Sequence, residues 1–377
     1  MLWHDRKPTC LPQEFLRKEG SLVALEQLYK IKAKRHPVYP HLVQLKYSQI
    51  DSPMGEPIVQ QCRGIILNAE QDWAVVARPM DKFFNHGEGH AAPINWGRAV
   101  VQEKLDGSML FLYYYEGDWH VATTGMPDAG GEVNGFGFTF AELFWKTFHD
   151  SNYVVPGNLH ASTTFMFELT TPYNRMVVAY EECDLTLIGL RNNWSGFESP
   201  VQYHLAYDAV KSRKLHTIDE VIGTFDTMDP LIQEGYVIVD DKFNRIKVKH
   251  PGYVALHHMR SGFSAKTMVE VIRSGETAEI LVHFPEWREP FEEIKAAYDG
   301  LVMHLEGAFK VLKDIPEGKE GQKVFAAEAT KNPCSGVLFG LRKGYYPSVR
   351  EGLKDITIDR MMTVLRAEDI KLVGQQS

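Results

Sequence analysis

The chain has 377 residues, 41 Lys and Arg against 49 Asp and Glu, a formal net charge of −8 and 44% apolar residues. This balance excludes a disordered chain, and the 30 Gly and 19 Pro are too scattered for a collagen-like or low-complexity one. No apolar run reaches membrane-spanning length, and Asp5, Arg6, Lys7, Glu14, Arg17, Lys18 and Glu19 break up the first twenty positions, so neither a membrane span nor a secretory leader is expected. Cys10, Cys62, Cys183 and Cys334 form no CxxC pair and are read as reduced thiols of a cytoplasmic protein, not as staples or a zinc site. His257 and His258 are adjacent, share no helix face, and are not read as metal ligands. The acidic balance argues against a generic nucleic-acid binder but allows a local basic groove, because phosphate affinity depends on where Lys and Arg cluster.

In chain order, residues 110–115 and 119–124 read as a β-hairpin around Glu116-Gly117-Asp118. A helix is predicted at 141–149, strands at 163–169 and 184–190, and a helix at 203–215. Residues 236–239 and 245–249 form a second predicted hairpin. Hairpin-linked strands with interspersed helices predict an α+β domain with antiparallel sheets. Beyond residue 255 the texture turns helical, with helices predicted at 266–274, 290–314, 321–331 and 356–366. In the longest, Phe291, Ile294, Tyr298, Leu301, Val302, Leu305, Phe309 and Leu312 recur at three- and four-residue spacing, and Pro290 suits the first helical position. The expectation is an α+β domain over 1–254 and an all-helical domain over 255–377.

The segment richest in chemistry is Glu103-Lys104-Leu105-Asp106-Gly107-Ser108, set between an apolar stretch and the first hairpin. Alone it is an ordinary turn. Its company changes its weight: Arg63-Gly64 upstream, then Phe167-Glu168-Leu169, then Glu234-Gly235, then Lys247-Val248-Lys249, whose two lysines share one face of a strand. This order resembles the motif series of the covalent nucleotidyltransferases, which comprise DNA ligases, RNA ligases and mRNA-capping enzymes. The blocks Cys62-Arg63-Gly64-Ile65, Arg78-Pro79-Met80-Asp81-Lys82-Phe83-Phe84-Asn85, Pro172-Tyr173-Asn174-Arg175-Met176-Val177-Val178-Ala179-Tyr180 and Gly252-Tyr253-Val254-Ala255-Leu256-His257 narrow the resemblance to the phage RNA ligase 1 family over about residues 60–260.

That resemblance implies a nucleotidyltransferase fold, with ATP-grasp-like antiparallel sheets and flanking helices, followed by an all-helical C-terminal domain. It implies that Lys104 attacks the α-phosphate of ATP, that AMP passes to an RNA 5′-phosphate, and that a 3′-hydroxyl then displaces AMP. An amine nucleophile must be unprotonated, whereas lysine ordinarily titrates near 10.4, and neighbouring positive charge lowers that value. Lys247, Lys249, Lys82 and Arg63 are the expected source of that field and of charge neutralisation in the transition state. By the same resemblance Glu168 holds a ribose hydroxyl, Glu234 binds the metal, and Asp106 orients Lys104 or the metal shell. Arg63 and Lys82 touch phosphate or ribose, Glu103, Gly107 and Gly235 join the nucleotide contacts, and Tyr253 lines the site. Magnesium is the expected cation.

One departure stands out. Where the family pattern places a lysine before a glycine, this chain has Thr123-Thr124-Gly125-Met126, which implies either altered ATP handling or a substitute such as Lys146. The sequence therefore predicts an ATP-dependent RNA ligase that seals 5′-phosphate and 3′-hydroxyl ends in RNA repair, with a broken tRNA loop as the substrate that the helical domain would favour. A capping guanylyltransferase and a DNA ligase share the mechanism, but both usually carry a β-barrel module where this chain reads helical. A degenerate ligase that only binds RNA ends is the non-enzymatic alternative, and the presence of Lys104 and both carboxylates argues against it.

Overall fold

The computed structural model describes residues 10–203, 206–259, 264–283 and 285–367. The chain divides into two compact units, Met1–His257 and His258–Ser377. Among the described residues no helix is long and apolar enough to cross a membrane. The expectation of no leader falls partly on residues 1–9, outside the described residues.

The first unit opens with helices α1 (Leu11–Glu19) and α2 (Leu22–Tyr29), then strands β1 (Ile31–Arg35) and β2 (Leu42–Tyr47), helix α3 (Pro57–Gln61), and strands β3 (Arg63–Asn68) and β4 (Ala74–Ala77). The four strands form one antiparallel sheet in chain order. Leu16 and Leu25 from the helices pack on Val43, Leu45, Ile65 and Leu67 of that sheet. Next come β5 (Phe84–Asn85), β6 (Val100–Lys104), β7 (Ser108–Tyr115), β8 (Asp118–Thr123), α4 (Phe140–Asp150), β9 (Thr163–Thr170), β10 (Asp184–Asn192), β11 (Glu198–Ser199), β12 (Ser212–Arg213), α5 (Ile218–Gly223), β13 (Gly235–Val239), β14 (Arg245–Lys249) and α6 (Pro251–Met259). A second sheet has the order β11-β10-β9-β7-β8, and a third β12-β6-β13-β14-β5. All pairings between these strands are antiparallel except β14 with β5. Helix α4 starts at a capping box, in which Thr139 Oγ1 accepts from the Glu142 N–H and Glu142 Oε2 accepts from the Thr139 N–H at 2.7 Å. Its Leu143, Phe144 and Phe148 then face Phe165 and Phe167 of the second sheet.

Both predicted hairpins are present, as are the strands at 163–169 and 184–190 and the helix at 141–149. The helix predicted at 203–215 is not. His204 and Leu205 lie outside the described residues; after them the chain turns, accepts at Asp208 O from the Leu187 N–H, donates from the Val210 N–H to Leu187 O, and then forms β12. Tyr207 and Val210 are three apart, as on a helix face, but both enter the core as an added edge of β10. Strand pairing satisfies the backbone there, which overrides local propensity.

The described residues of the second unit are helical: α7 (Ala265–Ser274), α8 (Thr277–His283), α9 (Arg288–Leu312), α10 (Lys319–Ala329), α11 (Gly336–Arg342), α12 (Val349–Lys354) and α13 (Ile358–Leu365). Helix α9 buries the stripe read from the sequence, from Phe291 to Leu312, with Phe309 only half-buried. It begins two residues before Pro290, which sits in its first turn. Asp299 on α9 accepts from Lys295 at 2.5 Å and from Arg350 at 2.8 Å, and these cations hold its carboxyl below the usual range despite burial.

Candidate active site

Strands β6, β13 and β14 are neighbours, and their register sets the site. Gly235 pairs with Lys104 on one side and with Lys249 on the other, so the two lysines share one row across the sheet. The next row on the same face holds Gln102, Val237 and Lys247. Gly235 leaves the centre of its row empty, and Glu234 fills the space. Its Oε2 accepts from Lys104 Nζ at 2.7 Å, and its Oε1 lies 3.2 Å from Lys249 Nζ. Glu234 is 3% exposed, so a buried carboxylate is matched by two ammonium groups. Residue 235 has to be glycine. Its φ is +147°, and a Cβ would lie 2.2 Å from Val248 O and 2.8 Å from Lys249 Cα.

The turn after Lys104 is rigid. Asp106 is 2% exposed; its Oδ2 accepts from the N–H groups of Val177 (2.9 Å) and Val178 (2.8 Å), and its Oδ1 accepts from the Tyr253 hydroxyl at 2.6 Å. Its own N–H donates to the Tyr180 hydroxyl at 3.2 Å. Asp106, expected to orient Lys104 or the metal shell, has its carboxylate engaged by these groups, which tie the loop after Lys104 to two other segments. Tyr253, expected in the lining, stands behind the loop as part of that brace. Gly107 allows the closest approach of β7 to β9, because a Cβ there would lie 2.5 Å from Leu169 O.

These elements wall a cleft of about 670 Å³ lined by Arg63, Lys82, Glu103, Lys104, Gly107, Glu168 and Lys247, among others. Arg63 reaches Met80 O and lies 5.5 Å above the Phe83 ring, and Lys82 lies 5.2 Å from the Phe84 ring. Glu103 pairs with Arg213. Burial pushes the Glu168 carboxyl up to about 7; Lys104 pulls it down, Glu234 adds to the rise, and Arg63 and the Gly107 N–H oppose it. A folded value above the ordinary 4.5 means that protonated Glu168 contributes stability that is complete below about 4.5 and is lost as the pH rises through about 7. Glu168→Gln abolishes that dependence. Relative to the parent it is expected to gain up to about 3 kcal/mol between pH 4 and pH 8, measured by urea unfolding of both proteins.

Sequence reading missed Lys46. It lies on β2 at the cleft wall, and a Cβ on Gly125 would stand 2.9 Å from its ammonium. The contact joins residues 79 positions apart and has no local signature. Lys146, the expected substitute for the missing basic residue near Thr124, is instead 72% exposed on α4 and pairs with Asp150 one turn on. Arg175 donates to Val177 O and so shapes its own loop. His257 stacks on Tyr253, and the side chain of His258 lies outside the described residues. Among the described residues no group of three or more His, Cys, Asp or Glu side chains is placed to hold a metal.

Comparison with known proteins gives a consistent picture. The family model for phage-type RNA ligase 1, described as RNA ligase, matches residues 61–253. An RNA ligase of Rhodothermus phage RM378 is 28% identical over 323 residues, covering 68% of this chain and 73% of that protein. A putative bifunctional polynucleotide kinase/RNA ligase of the Autographa californica nuclear polyhedrosis virus is 28% identical over 286 residues; the alignment takes in 71% of this chain and 40% of that longer protein. An archaeal ATP-dependent RNA ligase of known structure aligns over 89% of this chain and 80% of its own, at 12% identity and a TM-score of 0.45.

Proposed function

Because this chain belongs to the RNA ligase family, we propose that it seals RNA ends through an adenylate carried on Lys104. The observation that carries this reading is the row Lys104–Gly235–Lys249, closed by Glu234, with Lys104 at the wall of a cleft large enough for a nucleotide. Lys104 Nζ attacks the α-phosphorus of ATP; a P–N bond forms and pyrophosphate leaves. An RNA 5′-phosphate oxygen then takes the AMP and frees Lys104, and a 3′-hydroxyl attacks the RNA adenylate and expels AMP. The paired Lys104 of the structure is the resting lysine, because the hydrogen bond to Glu234 occupies its ammonium. Attack requires that this bond be given up.

Lys247, Lys249, Arg63 and Lys82 surround the phosphate path, where fixed cations neutralise charge without reorganising. Glu168 accepts from a ribose hydroxyl, and Gly107 and Gly235 let backbone approach the nucleotide. A hard dication would need only one or two protein carboxylates, and Glu234 would be the residue to hold it. Such an ion, magnesium by its preference for oxygen ligands, would supply charge neutralisation for phosphoryl transfer. We further propose that the helical unit favours structured RNA, such as a nicked tRNA loop, read by shape, splayed bases and 2′-hydroxyls. Equal sealing of a nicked stem-loop and an unstructured strand by the full chain would overturn that point.

The test is incubation with magnesium and α-labelled ATP or GTP, followed by a denaturing gel and a sealing assay. Label from ATP supports the reading, and label from GTP alone points to a guanylyltransferase. Lys46 stands where the missing basic residue is expected, so Lys46→Ala should raise the KM for ATP about tenfold, the scale of one charged hydrogen bond. Lys146→Ala should leave it unchanged.

A further inference from the structure

A second cavity, of about 380 Å³, adjoins the lysine cleft, and Lys82, Phe83 and Arg245 line both. Given the RNA-sealing reading, on which this inference rests, we infer that the second cavity seats the base of a nucleotide at an RNA end held for joining.

The lining points to a base and not to a phosphate. The wall carries the carboxylates Asp81, Glu198 and Asp241 beside Arg191 and Arg245. The arginines among them are neutralised: Arg191 pairs with Asp81 at 2.6 Å, and Arg245 binds both oxygens of Glu198, at 2.9 and 2.5 Å. Four phenylalanines stand in the wall, Phe83, Phe84, Phe197 and Phe243, of which Phe197 is 42% exposed. Rings in a groove beside cations are how single-stranded nucleic acid is held, by stacking of bases on aromatic faces.

Phe243 is the most informative of these residues. It sits in the turn between β13 and β14 with φ +60°, a left-handed conformation that bulky side chains rarely adopt. Asp240 imposes that turn. Its Oδ1 accepts from the N–H groups of Lys242 and Asn244, and its Oδ2 accepts from the Asn244 side chain and from the Asn95 N–H. Glycine or asparagine would occupy the position without strain. A strained aromatic held in place by a buried aspartate, at the wall of a cavity, is the pattern of a residue kept for its ring. Exposed Lys242, beside it in the turn, supplies a cation to the adjoining phosphate backbone.

Phe243→Gly relieves the backbone while removing the ring, so the experiment separates function from folding. Urea unfolding should show Phe243→Gly at least as stable as the parent. Sealing of single-stranded RNA should fall about tenfold, the scale of one lost stacking contact. Lysyl-adenylate formation from ATP, which needs no RNA, should stay within twofold, and Phe243→Tyr should retain sealing. Separate assays of AMP transfer to 5′-phosphate RNA and of joining with pre-adenylylated RNA assign the seated base: loss in the first places it on the 5′-phosphate strand, and loss confined to the second places it on the 3′-hydroxyl strand. Unchanged sealing by Phe243→Gly, or an equal fall in lysyl-adenylate formation, overturns the inference. Failure of the parent protein to form a lysyl-adenylate would instead overturn the reading on which it rests.

Discussion

Lys104→Ala is expected to retain no label from α-labelled ATP and to lower RNA sealing by about 10⁴-fold or more, the scale on which enzymes lose rate when a covalent nucleophile is removed. No neighbour is placed to take over. Lys249 is in the same row, but it approaches Glu234 from the far side of Gly235, and Lys247 is one row away. The fold should survive the change, because Glu234 keeps Lys249 as a partner 3.2 Å away and its buried charge stays compensated. RNA affinity should therefore persist in the variant while chemistry is lost. Sealing by Lys104→Ala at the parent's rate would refute the lysine mechanism, whereas a parent that binds RNA but takes no label and seals nothing would make an RNA-end-binding protein the better reading.

Gly235→Ala should be almost as damaging by a different route. The new Cβ would sit 2.2 Å from Val248 O, with φ at +147°, so β13 has to move off β14 or the turn before it has to rebuild. A cost of about 3 kcal/mol or more is expected, the sum of backbone strain and an unrelieved clash with main chain. The movement also separates Lys104 from Lys249 and draws Glu234 out of the space between them. Adenylylation should then fall in protein that is still folded at low temperature. Urea unfolding and nucleotide labelling of the same preparation would check both effects, and a variant with parental stability would show that the close approach at Gly235 is dispensable.

The parts of the fold that were legible in the sequence are those where local pattern and tertiary demand agree. The two hairpins combine alternating strands with turn residues, and α9 repeats its apolar stripe over seven turns. The N-terminal sheet gave no such signal: β1 buries only Ile31 and exposes its other four residues, while β2 buries four in succession, so neither alternates. Residues 203–215 misled for the opposite reason. Tyr207 and Val210 have helical spacing, but the backbone of Asp208 and Val210 pairs with Leu187 on a distant strand.

The candidate site divides in the same way. The order of the motifs singled out Lys104, Glu168, Glu234, Lys247 and Lys249; the structure sets Lys104, Glu168 and Lys247 at one cleft and joins Glu234 and Lys249 to Lys104 by ion pairing. Asp106 was legible as a site residue but not in its placement, because Val177, Val178 and Tyr253, which hold its carboxylate, lie at least 71 positions away. Lys46 and the turn at Phe243 depend wholly on three-dimensional neighbours.

The carboxylate of Glu234 also bears on how the cleft meets a polyanion. A pocket of bare cations would hold a condensed layer of salt ions and release it on binding, giving steep sensitivity to ionic strength. Here part of that neutralisation is already covalently present in the chain, 2.7 and 3.2 Å from the two ammonium groups. The incoming phosphates exchange with an internal anion, so the slope of nucleotide affinity against salt should be shallower than the number of lysines and arginines at the cleft implies.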